Sequence, residues 1–148
     1  MENKLLEIAS YLDKLQEKKE TVSQASVGWQ INHILSVING VCLTLLRSKK
    51  EDYKWKFSLL KSYIFLVQKF PRGKAKAPKN TIATEQPTIE EIEKQVQNAT
   101  KLLAKLNALP AKSHFNHPIF GTLHLKDSKK FLKIHTEHHL KIIRDILK

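Results

Sequence analysis

The chain has 148 residues, 41% of them hydrophobic, with 4 glycines, 1 cysteine and a formal net charge of +12 at neutral pH. Such a length and apolar content suffice for one domain, spanning 1–148, that buries its own core, and they exclude a disordered or fibrous chain. A lone Cys42 excludes an internal disulfide; no run approaches the ~18 consecutive apolar residues of a membrane span, and the charged start Met1-Glu2-Asn3-Lys4 is no secretory leader, so the expectation is a cytoplasmic protein with no membrane partner.

Taken in chain order, Leu5, Ile8, Leu12 and Leu15 recur at intervals of three and four and predict an amphipathic helix from Lys4 to about Lys18. A polar stretch from Thr21 to Ser26 leads into Trp29, Ile31, Ile34, Leu35, Ile38, Val41, Cys42, Leu45 and Leu46. That wider apolar face predicts a central helix over about 27–47 with Cys42 buried. Trp55, Leu59, Leu60, Tyr63, Ile64 and Val67 predict a third helix ending at Phe70, before Pro71. Residues 71–87, with Pro71, Gly73, Pro78 and Pro87 among lysines, have no periodicity and predict a surface connection.

Thr88 followed by Glu91 is a capping box for a fourth helix through Ile92, Val96, Leu102 and Leu106, stopping before Pro110. A loop with His114, His117, Pro118 and Gly121 is expected next, with no alternation long enough to build a sheet. Asp127 or Ser128 then caps a last helix through Phe131, Leu132, His135, His139, Ile142, Ile143 and Ile146. The sum is an all-α, four-helix bundle with one additional helix.

Seven histidines stand out. His135 and His139 are four apart on one predicted helix, so their imidazoles stack on the apolar stripe that faces the interior. Two buried imidazoles are hard to satisfy by chance hydrogen bonds, and one divalent ion satisfies both. His33, one turn past Trp29 on the central helix, is the best third ligand. Three histidines with an open position describe a catalytic metal site more than a structural one. Glu137 is two residues from His135 and faces nearly opposite, which argues against a zincin-type protease. His138 is turned about 100° from His139 and is expected at a rim position, next to the ligands or in solvent. His117 is expected to play a structural role, and Trp29 and Trp55 to be core residues or pocket walls.

These segments, Gly28-Trp29-Gln30-Ile31-Asn32-His33, then His117-Pro118-Ile119-Phe120-Gly121-Thr122-Leu123, then His135-Thr136-Glu137-His138-His139, resemble the DinB/YfiT-like metalloenzyme superfamily, in particular a bacterial branch of unassigned function. The resemblance implies an up-down-down-up bundle with a zinc or nickel ion held by a histidine triad, here His33, His135 and His139. It also implies, for some members, transferases and isomerases that use low-molecular-weight thiols.

Two functions follow as expectations. The first is a divalent-metal-dependent enzyme, a thiol-dependent transferase or a hydrolase acting on a small molecule, with no general base identified and a homodimer left open. The second is a non-catalytic binding protein whose basic surface engages a polyanion. The lysines are spread over every predicted helix and do not interleave with aromatic residues, so nucleic acid is disfavoured as a partner.

Overall fold

The Ser26 hydroxyl starts the element around which the protein is organised. In the computed structural model, which describes residues 1–55, 57–71 and 86–148, it accepts the Trp29 N–H at 3.2 Å and so caps helix α2, Val27–Arg47. Ile31, Ile34, Leu35, Ile38, Cys42 and Leu45 of α2 are fully enclosed. By length and composition α2 could cross a membrane, but half of its apolar window is buried inside the protein. Helices α4 (Ile89–Lys105) and α5 (Leu125–Ile146) flank it, and α1 (Glu2–Ala9) lies against both. Helix α3 (Leu59–Val67) touches α5. Among the described residues the protein is thus mostly helical, at 65% helix with a small two-stranded sheet.

The start of α2 is held close to the chain before it. The Gly28 N–H donates to the Leu15 carbonyl at 2.8 Å, and a Cβ at this position would lie 2.7 Å from Gln86 Oε1 and 3.0 Å from that same carbonyl. A side chain here would displace Gln86 and press on that carbonyl, so glycine suits the approach. Further along, Gln95 on α4 donates to Asn32 Oδ1 at 2.8 Å, pinning α4 to α2 one residue before His33.

The capping box forms as expected: the Glu91 N–H donates to Thr88 Oγ1 and the Thr88 N–H to Glu91 Oε2. Other expectations are corrected. Helix α1 ends at Ala9, where the Ser10 N–H is shared between the Leu6 and Glu7 carbonyls and its hydroxyl donates to Glu7 O. A 3₁₀ turn over Leu12–Lys14 then carries the chain to Leu15, which is buried without a continuous helix.

Helix α3 starts only at Leu59, behind a Ser58 cap. It stops at Gln68, whose φ of 52° is left-handed. Its buried residues are Ile64 and Phe65, whereas Leu59, Leu60, Tyr63 and Val67, expected inside, are exposed, as is Trp55. A helix apolar on every side carries no periodic signal of which face turns inward. Of the expected connection over 71–87, residues 72–85 lie outside the described residues.

The expected histidine loop is a hairpin. Strand β1 (His114–His117) pairs antiparallel with β2 (Gly121–His124), Phe115 opposite Leu123 and both buried. Gly121, at φ +71°, makes the left-handed turn into β2. Four-residue strands are too short for alternation to register. The cap of α5 also differs: His124 fills the role given to Asp127 or Ser128, its Nδ1 accepting the Asp127 N–H at 3.3 Å. Ser128 is buried and donates to the carbonyls of Leu123 and His124.

Candidate metal centre

Three imidazoles meet between α2 and α5. His33 comes from α2; His135 and His139, one turn apart, come from α5. Their ring centroids form a triangle: 5.1 Å from His33 to His135, 4.7 Å from His33 to His139 and 4.5 Å from His135 to His139. One nitrogen from each lies within 4.8 Å of the others. Ligands around a tetrahedral ion at zinc–nitrogen distances of ~2.0–2.1 Å are about 3.4 Å apart, so ring rotations of order 1 Å close the set.

The donors fit such an ion. Burial, reinforced by the neighbouring imidazoles, holds both His135 and His139 well below the usual histidine range. They are neutral at physiological pH, as ligation demands. Nδ1 of His135 is buried with no hydrogen-bond partner among the described residues, an uncommon state for an interior polar atom. Nδ1 of His139 donates to Gln30 Oε1 at 2.6 Å. The amide orientation of Gln30 follows from its other end, where Nε2 donates to Ser23 Oγ at 3.2 Å. With its proton fixed on Nδ1, His139 offers Nε2 as the ligand, the arrangement by which an outer hydrogen bond orients a metal-binding histidine.

Aromatic rings enclose the triad. Trp29 stacks on His33 at 5.1 Å and 11°, Phe131 lies 5.4 Å from His135, and Phe70 stands edge-on to His135 and His138 at 6.3 and 5.7 Å. His138 is half-buried and meets His139 nearly at right angles, 5.1 Å away. Beside Phe70 and His138 opens a cleft of about 220 Å³, lined also by Gln68, Lys69, Ile134, Glu137 and Lys141.

Glu137 is engaged outside the triad. It accepts from Lys4 and from Arg144, whose guanidinium also grips Glu7 with two bonds of 2.7 and 2.8 Å. The remaining histidines take distinct places. His117 accepts the N–H groups of Ile119 and Phe120 on Nδ1, at 3.1 and 3.2 Å. Its proton therefore sits on Nε2, and its ring lies flat on Phe120, 4.4 Å away. Burial pushes its pKa down to about 4. His114 bonds the Lys112 carbonyl through Nδ1, and His124 caps α5.

The structure thus gathers His33, His135 and His139, sets His138 at their edge and leaves Trp55 outside. Gln30 and Phe70 are the site residues that sequence reasoning missed. Gln30 had a signal: a polar residue three before His33, on the inward face of an apolar helix. Phe70 had none, because its place depends on the turn at Gln68. No protein-family model, no curated protein and no solved structure matches this chain, so what the site does is argued from its own geometry.

Proposed function

We propose that this protein is a divalent-metal-dependent enzyme of the DinB/YfiT-like type, a cytoplasmic up-down-down-up four-helix bundle with an added helix. It holds one zinc or nickel ion on His33, His135 and His139 and carries out a thiol-dependent transfer or a hydrolysis on a small molecule. The observation that carries this reading is the convergence of three imidazoles with one of them, His139, held in its ligating tautomer by Gln30.

An ion with three protein ligands keeps a position open and lowers the pKa of a water or thiol there, giving a nucleophile at neutral pH. The chain's own residues prepare that position. Gln30 keeps the His139 proton on Nδ1, and Trp29 fixes the plane of the His33 ring. Phe131 and Phe70 exclude water and so strengthen polar interactions within the site. The cleft beside His138 admits a small molecule, and Lys69 and Lys141 on its wall suit a substrate with an anionic group.

Metal content by mass spectrometry on untagged protein tests the reading. The expected result is near one equivalent of one metal in the wild type and almost none in His33→Ala or His139→Ala, with the helix content by circular dichroism retained. No bound metal, even after reconstitution with zinc or nickel, would overturn it. The net charge of +12 favours the second reading, a non-catalytic polyanion binder, which demands an affinity that falls steeply with salt.

A further inference from the structure

Helix α3 turns an apolar face to water. Its inner side is Ile64 and Phe65, with Lys61 turned inward to Asp127 at 3.0 Å. Leu59, Leu60, Tyr63, Leu66 and Val67, exposed at 76, 48, 59, 81 and 37%, share its outer side, within an arc of about 120° on a helical wheel. Trp55 and Phe57, 67 and 64% exposed and 6.3 Å apart, extend this surface ahead of the helix. Taking a large side chain at the ~150–250 Å² it can bury, these exposures leave on the order of 800 Å² of apolar surface. That exceeds the ~300–600 Å² of the largest patch on a typical monomer.

Cations rim this face. Lys54 and Lys56 flank Trp55 in sequence, and they outnumber no distant reserve of acid: Glu51 and Asp52 precede them, with Lys50 facing Glu51 at 3.9 Å. Helix α3 lies along α5 from Asp127 to His138. Lys61 meets Asp127, Lys130 places its Nζ 5.4 Å over the Phe65 ring, and Phe70, just past α3, stands against Phe131 and His138. That stretch of α5 carries Lys126, Lys130 and Lys133, all exposed, at intervals of four and three that put them on one side. Its acids are already paired, Asp127 with Lys61 and Glu137 with Lys4 and Arg144. The sequence after Pro71 adds Arg72, Lys74, Lys76 and Lys79 with no acidic residue among them; these lie outside the described residues and form no part of the surface.

We infer that this face docks on an anionic lipid bilayer, with α3 in the plane of the interface, its outer row and Trp55 among the acyl chains, and the surrounding lysines on the phosphate headgroups. An apolar helical face bearing Trp and Tyr, with lysines at its edge, has the composition of an interfacial helix. Each lysine near an anionic surface adds to the attraction. The same lysines oppose a second copy, because two cation-rimmed faces on chains of +12 repel one another. The expectation of no membrane partner rests on spanning length, and a nine-residue helix lying in the interface spans nothing.

Co-sedimentation of the full chain with vesicles of phosphatidylcholine and phosphatidylglycerol, against phosphatidylcholine alone, tests the inference. The expected result is pelleting with the mixed vesicles only, weaker at high salt, with a blue shift of tryptophan fluorescence that Trp55→Phe removes. Leu66→Glu weakens binding about ten-fold or more, since it replaces apolar carbons with a charge of the same sign as the lipid. Lys130→Glu weakens it about five-fold or more, the effect of losing one lysine at the surface. Lys94→Glu, an equal change of net charge on α4, binds like the wild type. Helix content and bound metal stay unchanged in all of these variants, which separates this inference from the metal reading. No pelleting of the wild type, no fluorescence shift, binding that Leu66→Glu leaves intact, equal losses in Lys94→Glu and Lys130→Glu, or a vesicle-free dimer in sedimentation velocity that Leu66→Glu dissociates, would each overturn it.

Discussion

Helices α5 and α3 break the apolar-in, polar-out rule in opposite senses. Helix α5 sets two imidazoles on the stripe where Phe131, Leu132 and Ile143 are buried, so polar groups stand where apolar ones belong. Helix α3 sets Leu59, Tyr63 and Leu66 in water, so apolar groups stand where polar ones belong. Each departure costs stability in the isolated chain: buried polar atoms lack water, and exposed apolar area gains nothing from folding. Departures of this kind concentrate at functional sites. The polar excess inside α5 forms the donor set of the proposed metal centre, and the apolar excess outside α3 stands in solvent.

The sharpest way to break that comparison is to remove the support of the α5 imidazoles while leaving the imidazoles themselves. Gln30→Leu keeps a similar volume and deletes the acceptor for His139 Nδ1. Loss of an outer partner of this kind lowers metal affinity by roughly 10–100-fold, read by competition against a chelator, and Gln30→Glu, which keeps an acceptor, restores most of it. Equal affinity in Gln30→Leu and wild type would mean that α2 does not orient the set.

A smaller effect is expected in acid. His117 titrates near pH 4 when folded against 6.5 for the ordinary side chain. Between those values the unfolded chain binds more protons, so the stability that neutral His117 contributes is complete above pH 6.5 and is lost as pH falls toward 4. His117→Asn keeps an acceptor for the amides of Ile119 and Phe120 and cannot titrate. Its melting temperature is therefore expected to fall less steeply over that window; a slope identical to wild type would remove His117 from the account. His135 and His139 shift in the same direction and keep part of the slope in both proteins.

The smallest effect concerns the end of α3. Gln68 holds a left-handed conformation at φ 52°, and glycine adopts it without the Cβ penalty. Gln68→Gly is expected to raise stability by about 0.5–1 kcal/mol in chemical denaturation, the ~1–2 kcal/mol left-handed penalty less the ~0.5–1 kcal/mol entropic cost of glycine. A loss instead would show that the Gln68 side chain in the cleft wall outweighs the backbone strain.

What the sequence made legible follows the same division. The bounds of α2 could be read because a wide apolar periodicity begins after a polar stretch, and the capping box of α4 because a local Thr-x-x-Glu pair precedes its own periodic face. The grouping of His33 with His135 and His139 could be read because spacing on a helix fixes which side chains share a face. The inner face of α3 could not, since periodicity is silent when every face is apolar. Nor could the hairpin, because its order comes from Phe115 and Leu123 meeting the core and not from its own four-residue strands. Phe70 reaches the triad through one backbone reversal at Gln68, which no residue type announces, as glutamine is an unusual choice for a left-handed position.

The fork of Arg144 also bears on how the molecule breathes. At eight residues, α1 is below the ~12–15 needed for a helix to persist alone in water, so it exists only while docked. Its docking rests on Leu5 and Ile8 and on the Glu7 carboxylate, which hydrogen bonding to Arg144 holds below its ordinary titration range. The same guanidinium holds Glu137, which lies between His135 and His139 in sequence. Partial unfolding that peels α1 away would therefore release the polar side of the α5 turn that carries His135 and His139, and make the N-terminal segment a low-energy opening unit beside that turn.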